Sequence, residues 1–407
     1  MVDPDSLLYP ATAKNVISVG ASESNRTSGG VADYIWLILS FCFATDPIVT
    51  DLVSNNENGM AAFSSRGPAD DGRVKPDLVA PGVNIVSNKS HAPGAGTLWG
   101  QHETNPDYVY SGGTSMATPL TAGLGALARE WLAGRGLPNP SAAAVKALLL
   151  NTTRNMAPGQ YGTGPAQEIP LTRPNHVAGW GRADVSFMTA APPYALWIDD
   201  HTTGLSPGQS VNYAHTPAHP LEVMTSTQPL RVMLVWTDPP ASLSAASQLV
   251  NDLDLVVVGP GGAMYYGNEV ATGDRINNVE GVIINTPPIG QYAVQVTAYN
   301  VPISAQPYAL VVAGPVGNIP PISTSTPTAT KTPTLTATAT LTSSATATTT
   351  ATAAPATSAT ATPTNTRTPT ATATSTPSAT ATTTRTPTIT VPPPIADNQV
   401  YLPIIRR

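Results

Sequence analysis

The sequence predicts an α/β domain with a largely parallel sheet, then an antiparallel β-sandwich or jelly roll, then a disordered stalk rich in Thr, Ala, Pro and Ser. Three observations carry this. Residues 1–189 alternate short β-branched runs with Ala- and Leu-rich helical patterns, residues from about 192 switch to short strands between Pro, Gly and Asn turns, and residues 323–394 are almost wholly Thr, Ala, Pro and Ser.

Residues 16–21 (VISVGA) and 78–80 are β-branched runs of strand length. Between them lies the most apolar run of the chain, residues 34–44 (YIWLILSFCFA). It is too short to span a bilayer core, which takes about 20 apolar residues, so a buried strand or helix segment is expected. Residues 115–134 and 141–151 read as helices, and strands alternating with helices imply parallel pairing. Runs at 230–238, 252–259, 279–285, 291–299 and 308–313 read as strands of an antiparallel sandwich. The Thr/Pro stretch cannot bury enough apolar surface to fold, and its prolines keep it extended. The tail 400–407 (VYLPIIRR) is an apolar patch closed by Arg406 and Arg407. The expected division is therefore 1–189, 190–315, a linker 316–396 and a tail 397–407.

Composition narrows the function classes. Charged residues make up 11% of the 407, against about 25% in an average soluble protein, and the formal net charge is -6. No basic face is available to neutralise phosphates, which argues against a nucleic-acid partner. The one cysteine, Cys42, rules out an intramolecular disulfide or a cysteine metal site and leaves the compartment open. Residues 1–8 have no basic patch followed by an apolar core, so no signal peptide is recognised there.

The chemistry is concentrated in residues 111–130, SGGTSMATPLTAGLGALARE. Ser115 follows Gly112, Gly113 and Thr114 and enters a helix of small and apolar residues. Its hydroxyl thus lies at a helix N-terminus, where unpaired N–H groups and the positive dipole end favour developing negative charge. That suits a nucleophile whose attack creates an oxyanion. Pro119 is expected near the first turn, where a missing N–H costs least. On local pattern alone, Thr114 or Ser115 could equally be a plain helix cap.

GTSMATP at 113–119 resembles the active-serine signature of the subtilase family of serine proteases, and Ser115 matches its nucleophile. Four further blocks occur in the order subtilases use: YPATAKNVISVGA at 9–21, FSSRGP at 63–68, DGRVKPDLVAPG at 71–82 and GWGRADV at 179–185. Beyond them, VNDLDLVV at 250–257 and NNVEGVIINTP at 277–287 resemble the C-terminal β-domain of long alkaline subtilases. The resemblance implies a C-terminal part of a subtilisin-like domain and an endopeptidase acting by acyl transfer on a protein or peptide substrate. In that scheme a histidine takes the serine proton, an aspartate orients it and an asparagine completes the oxyanion hole. The family places all three ahead of the first block found here. They are therefore expected upstream of Met1, with the start wrongly chosen or the gene broken.

None of the six histidines, His91, His102, His176, His201, His215 and His219, has the family's His-Gly-Thr-His setting, and all six read as surface or loop residues. A serine without a proton acceptor is a weak nucleophile, so the chain alone is expected to be close to inert. By resemblance Leu8 and Tyr9 line one side of the S1 pocket, with Gly113 and Thr114 beside the scissile bond. The missing opening strands of the parallel sheet are expected to leave an unpaired edge.

In the β-region, Asp238, Asp252, Asp254, Asp274 and Glu280, with Asn277 and Asn278, form an acidic set. Converging carboxylates and amide oxygens suit Ca2+, and the two aspartates of NDLDL share one strand face. Turn-forming Asp and Asn are the competing reading. No cofactor is required for the peptidase chemistry itself. The stalk and tail suggest a secreted protein retained at the cell surface, without a membrane span. A non-catalytic surface protein that binds a partner through its β-domain is the rival reading.

Overall fold

The computed structural model describes residues 4–189, 194–215 and 221–317. The stalk and tail expected beyond residue 317, and His219, lie outside the described residues.

The first region is built on β1 (Val19–Ser22) and β2 (Leu78–Pro81), which pair in parallel with Val19 opposite Leu78. This is the only parallel strand pair among the described residues, extended by a parallel bridge from Val79 to Arg182. After β2 the chain forms an antiparallel hairpin of β3 (Ile85–Asn88) and β4 (Tyr108–Ser111), with Ile85 opposite Ser111. Between β1 and β2, the apolar run at 34–44 forms the four-residue α1 (Trp36–Leu39) and a turn of 3-10 helix, Phe41–Phe43. The expected burial holds only for Trp36, which packs edge-on against Phe43 and Phe63 and donates to Glu23 Oε1. Phe41 is 87% exposed and Ile38 60%, because so short a helix presents only one side to the core.

Two helices follow, α2 (Thr114–Ala133) and α3 (Ala142–Asn151), each within one residue of its predicted bounds. Ser141 starts α3: its Oγ accepts from the Ala144 N–H at 3.0 Å and donates to Asp200 at 2.6 Å. The helix then buries nearly every side chain, and Leu148, Leu149 and Leu150 each contribute roughly 1.5–3 kcal/mol by leaving water.

The second region comprises β5 (Ala195–Leu205), β6 (Ser210–Ala214), β7 (Glu222–Val223), β8 (Leu230–Val235), β9 (Asp252–Val258), β10 (Met264–Tyr266), β11 (Val279–Ile284), β12 (Gly290–Gln291), β13 (Ala293–Asn300) and β14 (Gln306–Gly314). Eight of these form two four-stranded antiparallel sheets, ordered β11-β8-β14-β5 and β10-β9-β13-β6. Strand periodicity gives the first sheet two apolar faces. Leu230, Val232, Leu234, Tyr308, Leu310 and Val312 face the core shared with the second sheet. Ile198, Met233, Val235, Ala309 and Val311 face the other way, into one cluster with Leu148 of α3 and Trp180. One continuous apolar layer therefore joins the two regions.

Two sequence expectations shift here. The β-region runs past 315: Val316 is buried, bridges to Val223, and is followed by Gly317, whose N–H reaches the Glu222 carbonyl at 2.9 Å. His201, expected at the surface, lies in β5 with its ring stacked on Tyr308 at 4.6 Å and is 4% exposed.

Candidate active site

Ser115 stands where the β4 chain turns into α2. Gly112 and Gly113 make that turn possible. A Cβ on Gly112 would lie 1.9 Å from the Trp99 ring, and Gly113 has φ +142°, a conformation that side chains resist. The Gly113 N–H is anchored to the Gly82 carbonyl at 2.7 Å, just after β2. Gly82 is itself held small, since a Cβ there would meet the Ala21 Cβ at 2.6 Å and the Gly113 carbonyl at 2.9 Å. Three chain segments thus fix the entry into α2.

The helix-cap reading fails. Gly113 is the N-cap and supplies no side chain, so Thr114 and Ser115 are the first two helical residues. Ser115 is exposed, and its hydroxyl has no hydrogen-bond partner among the described residues. The Gly113 carbonyl accepts from Met116 at 3.0 Å and from Ala117 at 3.4 Å, so the chain closes its first turn directly behind the serine. Pro119 is the sixth residue of α2 and not part of the first turn. The N–H it lacks is the one that would bind the Ser115 carbonyl. Ala117 and Thr121 anchor the helix underneath, with the Thr121 Oγ1 donating back to the Ala117 carbonyl at 3.1 Å.

No histidine among the described residues bonds to Ser115. His91 faces Asp107 at 3.3 Å, His102 stacks on Tyr110 at 5.7 Å, and His201 contacts Thr203 at 3.2 Å and Asp199 at 3.4 Å. His176 has a buried Nδ1 without a partner, and burial lowers its pKa. Leu8 and Tyr9, expected to wall the S1 pocket, are 75% and 88% exposed, and no hydrogen bond joins them to residues 113–115.

Residues 2–181 match the subtilase family. These residues form a subtilase-family region. The chain resembles the serine protease/ABC transporter B family proteins tagB and tagD of Dictyostelium discoideum, at 31% and 30% identity over 67% and 77% of the chain. The aligned stretches cover only 17% and 22% of those two proteins. Serine protease AprX of Bacillus subtilis is 32% identical over 40% of the chain and 30% of its own length. The matched region therefore contains the serine turn described above.

The chain also has a buried ionic centre that the sequence reading did not single out. Asp77, at the head of β2, is paired with Lys146 at 2.8 Å and Lys75 at 2.5 Å and accepts from the Ser18 N–H at 2.7 Å. Burial alone would raise its pKa, but the two ammonium groups outweigh that and hold it below the ordinary range. Burial pushes Lys75 down to about 8, an effect that Asp77 opposes. The centre ties β1, β2 and α3 together.

A second cluster is acidic. Glu23 is fully buried, accepts from Trp36 at 3.2 Å and Gln160 at 3.0 Å, and leaves its Oε2 without a partner. Burial raises its pKa to about 8. Glu168 accepts from the Met60 N–H at 3.0 Å and is raised by burial to about 7.

In the β-region, Asp252, Asp254 and Glu280 converge, with ligand atoms within 4.8 Å of one another. Asp238 is not part of this set. It accepts from Lys14 at 2.5 Å and from the Val250 and Asn251 N–H groups at 2.9 and 2.7 Å. Asp274 instead accepts from Asn268 and Asn277. The Arg275 guanidinium sits on the trio, 2.6 Å from Asp254 and 3.1 Å from Asp252, and stacks on Tyr299 at 3.4 Å. Burial nevertheless pushes Asp252 up to about 7 and raises Glu280 well above its ordinary value.

Proposed function

We propose that this chain carries the nucleophile of a subtilisin-like endopeptidase, with Ser115 forming the acyl bond to a protein or peptide substrate. The observation that supports this most directly is the exposed, unengaged Ser115 hydroxyl at the N-terminal turn of α2. There the unpaired N–H groups favour an oxyanion. Gly113 and Thr114 would flank the scissile bond, with Leu8 and Tyr9 on the S1 side. The base, its orienting aspartate and the oxyanion asparagine are proposed to come from outside these 407 residues, because no described histidine engages Ser115. The chain by itself then turns over slowly.

The test is stoichiometric acylation. An activated p-nitrophenyl ester should leave an acyl group on Ser115, found by peptide mass mapping, and Ser115→Ala should remove it. An adduct that persists in Ser115→Ala would refute the assignment.

Residues 190–317 are proposed to be a jelly roll. In chain order the eight strands of the two sheets pair first with last, second with seventh, third with sixth and fourth with fifth, an arrangement supporting two interlocked Greek keys. The Thr/Pro stretch that follows would be a spacer and the tail a surface-retention element of a secreted protein. No helix among the described residues is long and apolar enough to cross a membrane.

A Ca2+ ion is proposed at Asp252, Asp254 and Glu280. The residues fit, since Asp252 Oδ1 and Glu280 Oε1 are buried oxygens without partners. Arg275 would be its competitor. The alternative, a surface protein that binds through the β-region, draws support from the absence of a described histidine at Ser115 and predicts no acylation.

A further inference from the structure

Two arginines from different regions converge on one carbonyl at the end of α3. Arg173 donates through Nη2 to the Thr153 carbonyl at 2.7 Å and through Nε to the Trp180 carbonyl. Arg231, on β8, donates through Nη1 to the same Thr153 carbonyl at 2.9 Å and to the Asn151 carbonyl at 3.2 Å.

Among the described residues neither guanidinium has a carboxylate partner. Among the described residues no ion pair involves Arg173 or Arg231, whereas their neighbours Arg154 and Arg182 both take Glu57. Asp184 acts on Tyr194 and reaches neither arginine as an ion pair. The helix C-terminus offers only the partial negative charge of its carbonyls, about half a unit, against two full positive charges. The Arg231 Nε is buried without a partner. The corner therefore holds uncompensated positive charge and an unused donor, and the proximity of Arg231 adds to burial in drawing Arg173 down to about 9.

We propose that Arg173 and Arg231 form a binding site for a small oxyanion, at the seam between the subtilase region and the β-region. Guanidinium groups present paired donors that match the geometry of sulfate, phosphate or carboxylate oxygens. Because one arginine comes from each region, the bound anion would tie the regions together and stabilise the chain as a whole.

The experiment is thermal unfolding of the 407-residue chain in sulfate, phosphate and acetate, each matched in ionic strength with chloride. Saturable stabilisation beyond chloride is expected, following the binding polynomial of a single site. The three anions separate an inorganic oxyanion from a carboxylate as occupant. Arg231→Gln should weaken the response about tenfold or more, the worth of a charge-assisted hydrogen bond. Since Arg231 also supports the end of α3, crystals of the unmodified chain grown with selenate provide a check independent of folding. Anomalous density between Arg173 and Arg231 is expected. A response equal to chloride, a full response in folded Arg231→Gln, or density for water alone would overturn the site.

Discussion

Asn15 and Asp238 hold each other by two backbone-directed bonds: the Asn15 amide donates to the Asp238 carbonyl at 2.8 Å, and the Asp238 N–H donates to Asn15 Oδ1 at 3.0 Å. The neighbouring Lys14 closes the clamp on the Asp238 carboxylate. The subtilase region and the β-region are thereby joined by polar bonds as well as by the apolar layer around α3.

Removing one partner of a buried pair leaves the other charge stranded. Asp238→Ala should therefore cost about 3–5 kcal/mol. Urea unfolding followed by tryptophan fluorescence checks this, and a cost below about 1 kcal/mol would show that the apolar layer alone joins the regions.

Stability should fall as pH rises from about 4.5 to about 8. Glu23 and Glu168 have folded pKa values of about 8 and about 7, above the ordinary 4.5. Their protonated forms are favoured by burial, so their contribution is complete below about 4.5 and lost as pH passes through the folded values. Lys75, lowered to about 8, works in the opposite direction only from there up to about 10.5. Thermal unfolding between pH 5 and 8 should show the decline, and Glu23→Gln should flatten it. A slope unchanged by that variant would locate the titration elsewhere.

The turn before Ser115 should tolerate no Cβ at Gly82. Gly82→Ala is expected to cost about 1–3 kcal/mol by overpacking and to slow acylation of Ser115, since the Gly113 carbonyl must move. Denaturant midpoints and labelling rates measured on the same variant test both effects. A destabilised chain with unchanged labelling would uncouple Gly82 from the serine.

Calcium and Arg275 should compete. Arg275→Gln is expected to raise Ca2+ affinity about tenfold by removing a cation that occupies Asp252 and Asp254. Calorimetric titration of the full chain checks this. No heat and no thermal stabilisation in either protein would remove the metal from the account.

What could be read in advance followed from local pattern. The small-residue run around Ser115 and the Ala/Leu runs of α2 and α3 carry their periodicity in the sequence, so both helices were predicted to within a residue. β5 was not, because Asp199, Asp200 and His201 break the apolar alternation expected of a strand. The two aspartates find hydrogen-bond donors distant in sequence: Asp199 accepts from Tyr213 at 2.5 Å, and Asp200 from the Ser141 N–H at 2.8 Å. The acidic set was grouped by composition, yet Asp238 turned towards Lys14 while Arg275 folded onto the rest. Likewise, nothing local to Arg173 or Arg231 announces that they meet at Thr153.

The central proposal, that Ser115 is a nucleophile held ready but short of its base and of the aspartate and asparagine that go with it, is tested most directly by fluorophosphonate labelling with site-resolved mass spectrometry. Labelling of Ser115 should outpace that of the exposed loop residue Ser206 and accelerate with added imidazole, which supplies a proton acceptor. Equal rates at the two serines, with no response to imidazole, would contradict it.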